Sequence, residues 1–415
     1  SIWDIKACPY KDSLTSYNTA LQEISEDVMV TFFASDGTDV DSSSMMITSL
    51  RGGYDQVNPP GPFGVTYPFD DPDAEGWEPY QTAAGTFIDD PLGGYYIAPT
   101  MTDTSVIGIE NNTSSNVYGS WQMKYETSLD YELDFLYKAR YTMRTDQADL
   151  MKVPQARMRW SDFASLVSSG HYIDKGSNGL TTDWSTYTSY YYQPVTAGFM
   201  CRNLKLYLDL IDFTEEQQGN IYCDSIEVSR LAPPETGGTV VATYDTPADF
   251  ADWKYFSAQA FDSATSGTNG GGVWLETPSE LGETSLYHGG FGTDPDGSTI
   301  SFEENKLYKC TFTLRSESEQ DREHLPKIRV RISNGAFDWS AFRDLRQTPG
   351  SSAQMPTPEG REYPLFIESP PHLTVATRAY DPNAIVVNID VVDGSVEEYG
   401  RVYLDKVVIE SFPLE

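Results

Sequence analysis

The chain has 415 residues, a formal net charge of −34 and 13% aromatic residues. That charge argues against a nucleic-acid partner, whose phosphates need Lys and Arg, and fits an extracellular surface, divalent cations or high salt. No stretch is long and apolar enough to span a membrane, and the first residue is Ser1 rather than Met, which predicts a processed, secreted chain.

Read in chain order, residues 1–52 form a partial β unit. Strand patterns at 28–33 and 44–50 flank an acidic turn at 35–39, and residues 14–24 carry a mild helical periodicity. A Gly/Pro-rich connector over 52–65 leads into the first full unit, 65–231. This unit opens on an acidic stretch from Tyr67 to Trp77, then carries Leu136-Tyr137-Lys138, Arg157-Met158-Arg159 and Trp160. It closes with strand patterns at 204–210 and 219–228. Residues 232–241, rich in Pro and Gly, read as a linker. The second unit, 242–415, repeats the order with Trp253, Leu307-Tyr308-Lys309, Arg329-Val330-Arg331 and Trp339, and closes at 385–391 and 400–409. A segment occurring twice in the same order means two copies of one structural unit. Short alternating runs between Gly, Pro, Asp and Ser clusters predict an all-β chain: two tandem sandwiches plus an N-terminal partial sandwich-like segment.

The acidic opening strand ending in a Trp, the central Leu-Tyr-Lys strand and the closing strand with an early Asp resemble the jelly-roll sandwich of carbohydrate-binding modules and the wider galactose-binding-like group. The resemblance covers both full units and implies two packed antiparallel sheets in each. In such modules a structural Ca²⁺ often sits between the opening and closing strands. The resemblance therefore points to Asp70 with Asp224, and to Asp245 with Asp405, as metal ligands. By alternation Asp224 shares a face with Ile226 and Val228, and Asp405 with Val407 and Ile409. The competing reading is an Asp that caps a turn or accepts backbone N–H bonds.

Aromatics matched between the units (Trp77 with Trp253, Trp160 with Trp339, Tyr137 with Tyr308) are expected in the common core. Unmatched ones, Trp121, Trp184, Tyr190, Tyr191, Tyr192 and Trp274, are candidates for stacking on sugar rings or for a subunit interface. Arg157, Arg159, Arg329 and Arg331 are expected to make exposed pairs with carboxylates across the sheet, each worth little. The four cysteines, Cys8, Cys201, Cys223 and Cys310, lack metal spacing, and no disulfide pairing follows from them. No catalytic motif occurs, so no catalytic residue is assigned.

The expectation is a non-enzymatic extracellular structural protein, a subunit of a filament, sheath or surface layer that self-associates through its N-terminal segment. The alternative is a carbohydrate-binding tandem that adheres to polysaccharide.

Overall fold

A computed structural model describes residues 28–30, 45–47, 64–70, 74–80, 88–89, 95–97, 117–124, 129–130, 135–149, 151–153, 155–162, 168–174, 179–193, 203–211, 220–232, 238–256, 265–269, 272–277, 287–294, 300–318, 324–345, 355–370, 383–394 and 400–414. The regular elements among the described residues are all strands. The first two, β1 (Val28–Val30) and β2 (Met45–Ile47), pair antiparallel with each other, Val28 opposite Ile47. The helix expected over 14–24 and the acidic turn at 35–39 lie outside the described residues.

The first unit comprises β3 (Gly64–Tyr67), β4 (Trp77–Tyr80), β5 (Ile88–Asp89), β6 (Tyr95–Ile97), β7 (Val117–Met123), β8 (Leu129–Asp130), β9 (Leu136–Thr145), β10 (Gln155–Asp162), β11 (Ser168–Ile173), β12 (Ser185–Tyr192), β13 (Asn203–Ile211) and β14 (Ile221–Leu231). The second comprises β15 (Thr239–Tyr244), β16 (Lys254–Phe256), β17 (Thr265–Asn269), β18 (Gly272–Thr277), β19 (Tyr287–Gly292), β20 (Lys306–Ser316), β21 (Lys327–Asn334), β22 (Trp339–Leu345), β23 (Arg361–Glu368), β24 (Ile385–Gly394) and β25 (Gly400–Pro413). Residues 239–241 of the expected linker are thus strand: β15 pairs with β25, Val240 opposite Glu410.

Each unit has one sheet of its own. In the first the order is β12-β9-β14-β6-β5, with β3 also on β14; in the second it is β17-β18-β25-β20-β23, with β15 also on β25. The matched strands β9 and β20 alternate buried and outward residues, as a strand with one face on the core must. The matched aromatics Trp77, Trp160, Trp339, Tyr137 and Tyr308 are fully buried, and Trp253 nearly so. Burying each such side chain contributes about 1.5–3 kcal/mol.

The opposing sheet is not divided between the units. It runs β16-β19-β24-β21-β22-β11-β10-β13-β7-β4, with β8 alongside β13. The junction is the antiparallel pair β11–β22, in register from Ser168 opposite Asp344 to Ile173 opposite Trp339. Gly170 lies within it, and a side chain there would meet the Met158 carbonyl, the Arg159 backbone and the Phe342 ring. Only glycine allows these strands to approach so closely.

The other layer is tied at the same place. Tyr190 donates to Glu368 Oε1 at 2.5 Å, and Lys138 Nζ lies 2.8 Å from the same oxygen. Trp339 Nε1 donates to the Glu368 carbonyl, and the rings of Tyr192 and Phe366 meet edge to face. Arg343 of β22 is buried and donates to the Tyr192 carbonyl at 2.9 Å and to Gln193 Oε1. His171 packs 5.7 Å from the Trp339 ring, and burial pushes its imidazole down to about 3, so it is neutral in the junction.

A junction built this way unfolds with the units rather than before them. The intact protein is expected to melt in one calorimetric transition. Gly170→Val, or Arg343→Ala with a loss of about 3 kcal/mol from two charge-assisted hydrogen bonds, is expected to split it into two. Two transitions in the unsubstituted protein would show that the junction carries little of the stability.

Candidate functional site

Of the four aspartates expected at cation sites, Asp405 and Asp245 lie beside cations of the protein itself. Asp224 and Asp405 each sit at a β-bulge. In the first unit Cys223 faces Met143 and Ser225 faces Thr142, leaving Asp224 as the extra residue. In the second Lys406 faces Thr313 and Leu404 faces Leu314, leaving Asp405 extra. One inserted residue reverses the alternation on either side of it. Asp224 is therefore exposed instead of sharing the buried row of Ile226 and Val228. Asp405 is bound by Arg315, whose Nε lies 2.8 Å away and whose guanidinium covers the Tyr403 ring at 3.8 Å. Burial raises the Asp405 carboxyl although Arg315 acts against the shift. Asp245 lies 3.9 Å from Lys406 Nζ, and its backbone N–H donates to Asp249. The Asp70 N–H donates to Glu75 at 2.9 Å. Among the described residues no group of three or more His, Cys, Asp or Glu side chains converges as a metal site.

The unmatched aromatics separate by environment. Trp121 is fully buried and packs 5.5 Å from Phe69. Tyr190, Tyr191 and Tyr192 belong to the junction or the core: Tyr191 packs 6.1 Å from Trp160, and the other two meet Glu368 and Phe366. Trp274 lies on β18 opposite Tyr403. Trp184 is 38% exposed, with the Arg144 guanidinium 5.0 Å from its ring. Arg144 also covers the Tyr222 ring at 3.8 Å, and Tyr222 Oη donates to Asp146 at 3.1 Å. Trp184, Arg144 and Tyr222 thus form a small aromatic patch on the outer face of the first unit's own sheet.

The largest concentration of polar chemistry lies on the outer face of the continuous sheet. Register places one residue from each strand in a single row: Glu78, Gln122, Tyr207, Arg159, Gly170, Phe342, Arg331, Asn388, Gly292 and Lys254. At about 4.8 Å between strands the row spans roughly 43 Å. Asp209, Arg157 and Tyr172 lie in the flanking row on one side. Asp344, Arg329 and Asp390 lie in the row on the other.

The arginines expected to make exposed pairs are mostly buried here. Arg157 Nε lies 2.7 Å and Arg159 Nε 3.0 Å from the same oxygen of Asp209, which is fully buried. Arg329 makes a two-pronged contact with Asp344 at 2.6 and 3.0 Å, and Arg331 reaches Asp390 at 3.3 Å. Alternation along β10 and β21 sets these side chains outward, but long neighbours on adjacent strands shield them. Arg159 stacks on Tyr207 at 3.8 Å, and Arg329 lies 4.9 Å from the Phe342 ring. Burial would raise the Asp344 carboxyl, yet Arg329 and Lys327 hold it well below the usual carboxylate range. Sequence alone marked the alternating arginines but not their partners, because Asp209, Asp344 and Asp390 come from other strands.

No protein-family model matches the chain, and no curated protein matches it. Among solved structures, the N-terminal CBM22-1–CBM22-2 tandem domain of Paenibacillus barcinonensis Xyn10C is similar over 84% of this chain and 97% of its own, at 9% identity and a TM-score of 0.25. The N-terminal cellulose-binding domain of Cellulomonas fimi β-1,4-glucanase C covers 44% of this chain and 98% of its own, at 16% identity and a TM-score of 0.26. A cyclase from Fischerella sp. TAU covers 44% and 97%, at 13% identity and a TM-score of 0.28. What the chain binds has to be argued from its own side chains.

The depressed Asp344 carboxyl makes a pH prediction. Its stabilising effect is complete above about pH 4, the unfolded value, and is lost as pH falls toward its folded value. Asp344→Asn is expected to cost about 3–5 kcal/mol at neutral pH by stranding Arg329, and to flatten the fall in Tm between pH 4 and pH 2. Equal slopes for the two proteins in that window, read by calorimetry, would remove Asp344 from the acid response.

Proposed function

We propose that the chain is a secreted, non-catalytic polysaccharide-binding tandem whose two sandwiches present one continuous binding face. The ten-strand row carries this reading. Charged groups, amides, two rings and two glycines lie along a single line that crosses the junction without interruption. The two rings of the row, Tyr207 and Phe342, are buried, so recognition of a linear glycan here would fall to hydrogen bonds between its hydroxyls and the polar groups of the row, among them Glu78, Arg159, Arg331 and Lys254. The reading of an assembling structural subunit has less behind it. Its key segment, 1–52, contributes to the described residues only the self-paired strands β1 and β2.

Two substitutions, one in each unit, test the face. Tyr207→Ala and Asn388→Ala are each expected to lower retention in polysaccharide affinity gels at least tenfold, about 1.4 kcal/mol, with the circular dichroism spectrum unchanged. Longer oligosaccharides are expected to gain affinity until they cover both units. If Trp184→Ala abolished retention while the row variants kept it, the site would belong to the patch around Arg144 instead.

A further inference from the structure

His171 occupies the middle of the strand pair that joins the units, opposite Ala341 of β22 on one side and Met158 of β10 on the other. It is 1% exposed, and among the described residues neither Nδ1 nor Nε2 has a hydrogen-bond partner. A neutral imidazole carries one donor and one acceptor, and each buried polar atom left unpaired costs about 1–3 kcal/mol. An apolar side chain of similar size would avoid that cost. What an imidazole adds at this position is the uptake of a proton, at about pH 6.5 when it is hydrated.

Rings and apolar groups surround it. The Trp339 ring lies 5.7 Å and the Tyr190 ring 6.4 Å from the imidazole, centre to centre. The titratable and charged groups packed about it are engaged with other partners. Tyr190 of β12 donates to Glu368 of β23, and Lys138 of β9 pairs with the same carboxylate. Tyr187 of β12 donates to the Gly179 carbonyl. Arg343, two residues beyond Ala341 on β22, is a buried cation bonded to Tyr192 and Gln193. Arg157 and Arg159 of β10, Tyr172 of β11 and Asp344 of β22 fall by alternation on the opposite face of the sheet. A proton on His171 would thus set a second buried cation near Arg343, with no carboxylate among the described residues in hydrogen-bonding reach. Such an uncompensated buried charge is costly, and hydration of the imidazole removes the cost.

We propose that His171 makes the coupling of the two units sensitive to acid: the β11–β22 pair holds at neutral pH and releases in mild acid, when His171 takes up a proton and is hydrated. Burial holds the imidazole down to about 3 in the closed junction, against about 6.5 in water. Between these values the open form binds more protons than the closed one. The closed form is therefore favoured fully above about pH 6.5, and its advantage falls tenfold for each pH unit below that, down to the closed-state value. From about pH 7.5 to about pH 4.5 the opening equilibrium shifts about a hundredfold. Asp344 acts in a separate window, below about pH 4. The device belongs to the fold and holds whatever the row binds.

Calorimetry and hydrogen exchange on the full chain test this. One melting transition is expected at about pH 7.5, and two at about pH 4.5, one for each unit. His171→Leu, which takes up no proton, is expected to melt in one transition at both. Glu368→Gln, which removes the carboxylate tied to Tyr190 and Lys138, is expected to weaken the junction yet keep the pH response. Should His171→Leu fail to fold, exchange of the β11–β22 amides in the unsubstituted protein decides the matter. Corrected for the intrinsic rate, their opening constant is expected to rise about a hundredfold between the two pH values, while that of the β9–β14 and β20–β25 amides stays level. A single transition at both pH values with unchanged exchange at the junction would overturn the proposal. So would a His171→Leu protein that still splits into two transitions in acid.

Discussion

One strand pairing governs the molecule. By joining β11 to β22, the chain turns two sandwich sheets into one. The pairing needs Gly170, because any larger residue would collide with the Met158 carbonyl and the Phe342 ring. It also needs a second layer that closes at the same place, and Tyr190, Glu368, Lys138 and Arg343 supply it. Two edge strands that would otherwise expose unpaired N–H and C=O groups thereby satisfy each other.

The register set by that pairing decides which side chains become neighbours. Residues alternate across the sheet, so the core side takes Met158, Trp160, Ala341 and Ile332, all buried and apolar. The outer side takes Arg157, Arg159, Phe342 and Arg331. Charges crowded on the outer side are desolvated, which is costly unless each is met. Asp209 meets two arginines at once and Asp344 meets Arg329 and Lys327, which makes the layer tolerable. Tyr172 sits among these cations over Phe342, a ring pair 4.6 Å apart held on the outer face.

Sequence made part of this legible. Strand period and the repeated order of Trp, Leu-Tyr-Lys and Arg-X-Arg were enough to place matched aromatics in the core, because those signals are local. Three features were not local. The bulges at Asp224 and Asp405 each add a residue that period-two counting cannot detect, so both aspartates were assigned to the core-facing row. Tyr190 and Tyr192 looked like candidates for an external partner because the second unit lacks them. Their partner is Glu368 and Phe366 of that unit, more than a hundred residues away. The arginines looked exposed because nothing local reveals three aspartates arriving from β13, β22 and β24.

A rigid junction changes what two similar units can do. Joined only by a flexible linker, each would meet a long ligand separately, and the second contact would depend on an effective concentration set by the linker. Joined through a sheet, both halves of the row are already aligned, and the ordering cost is met during folding and not during binding.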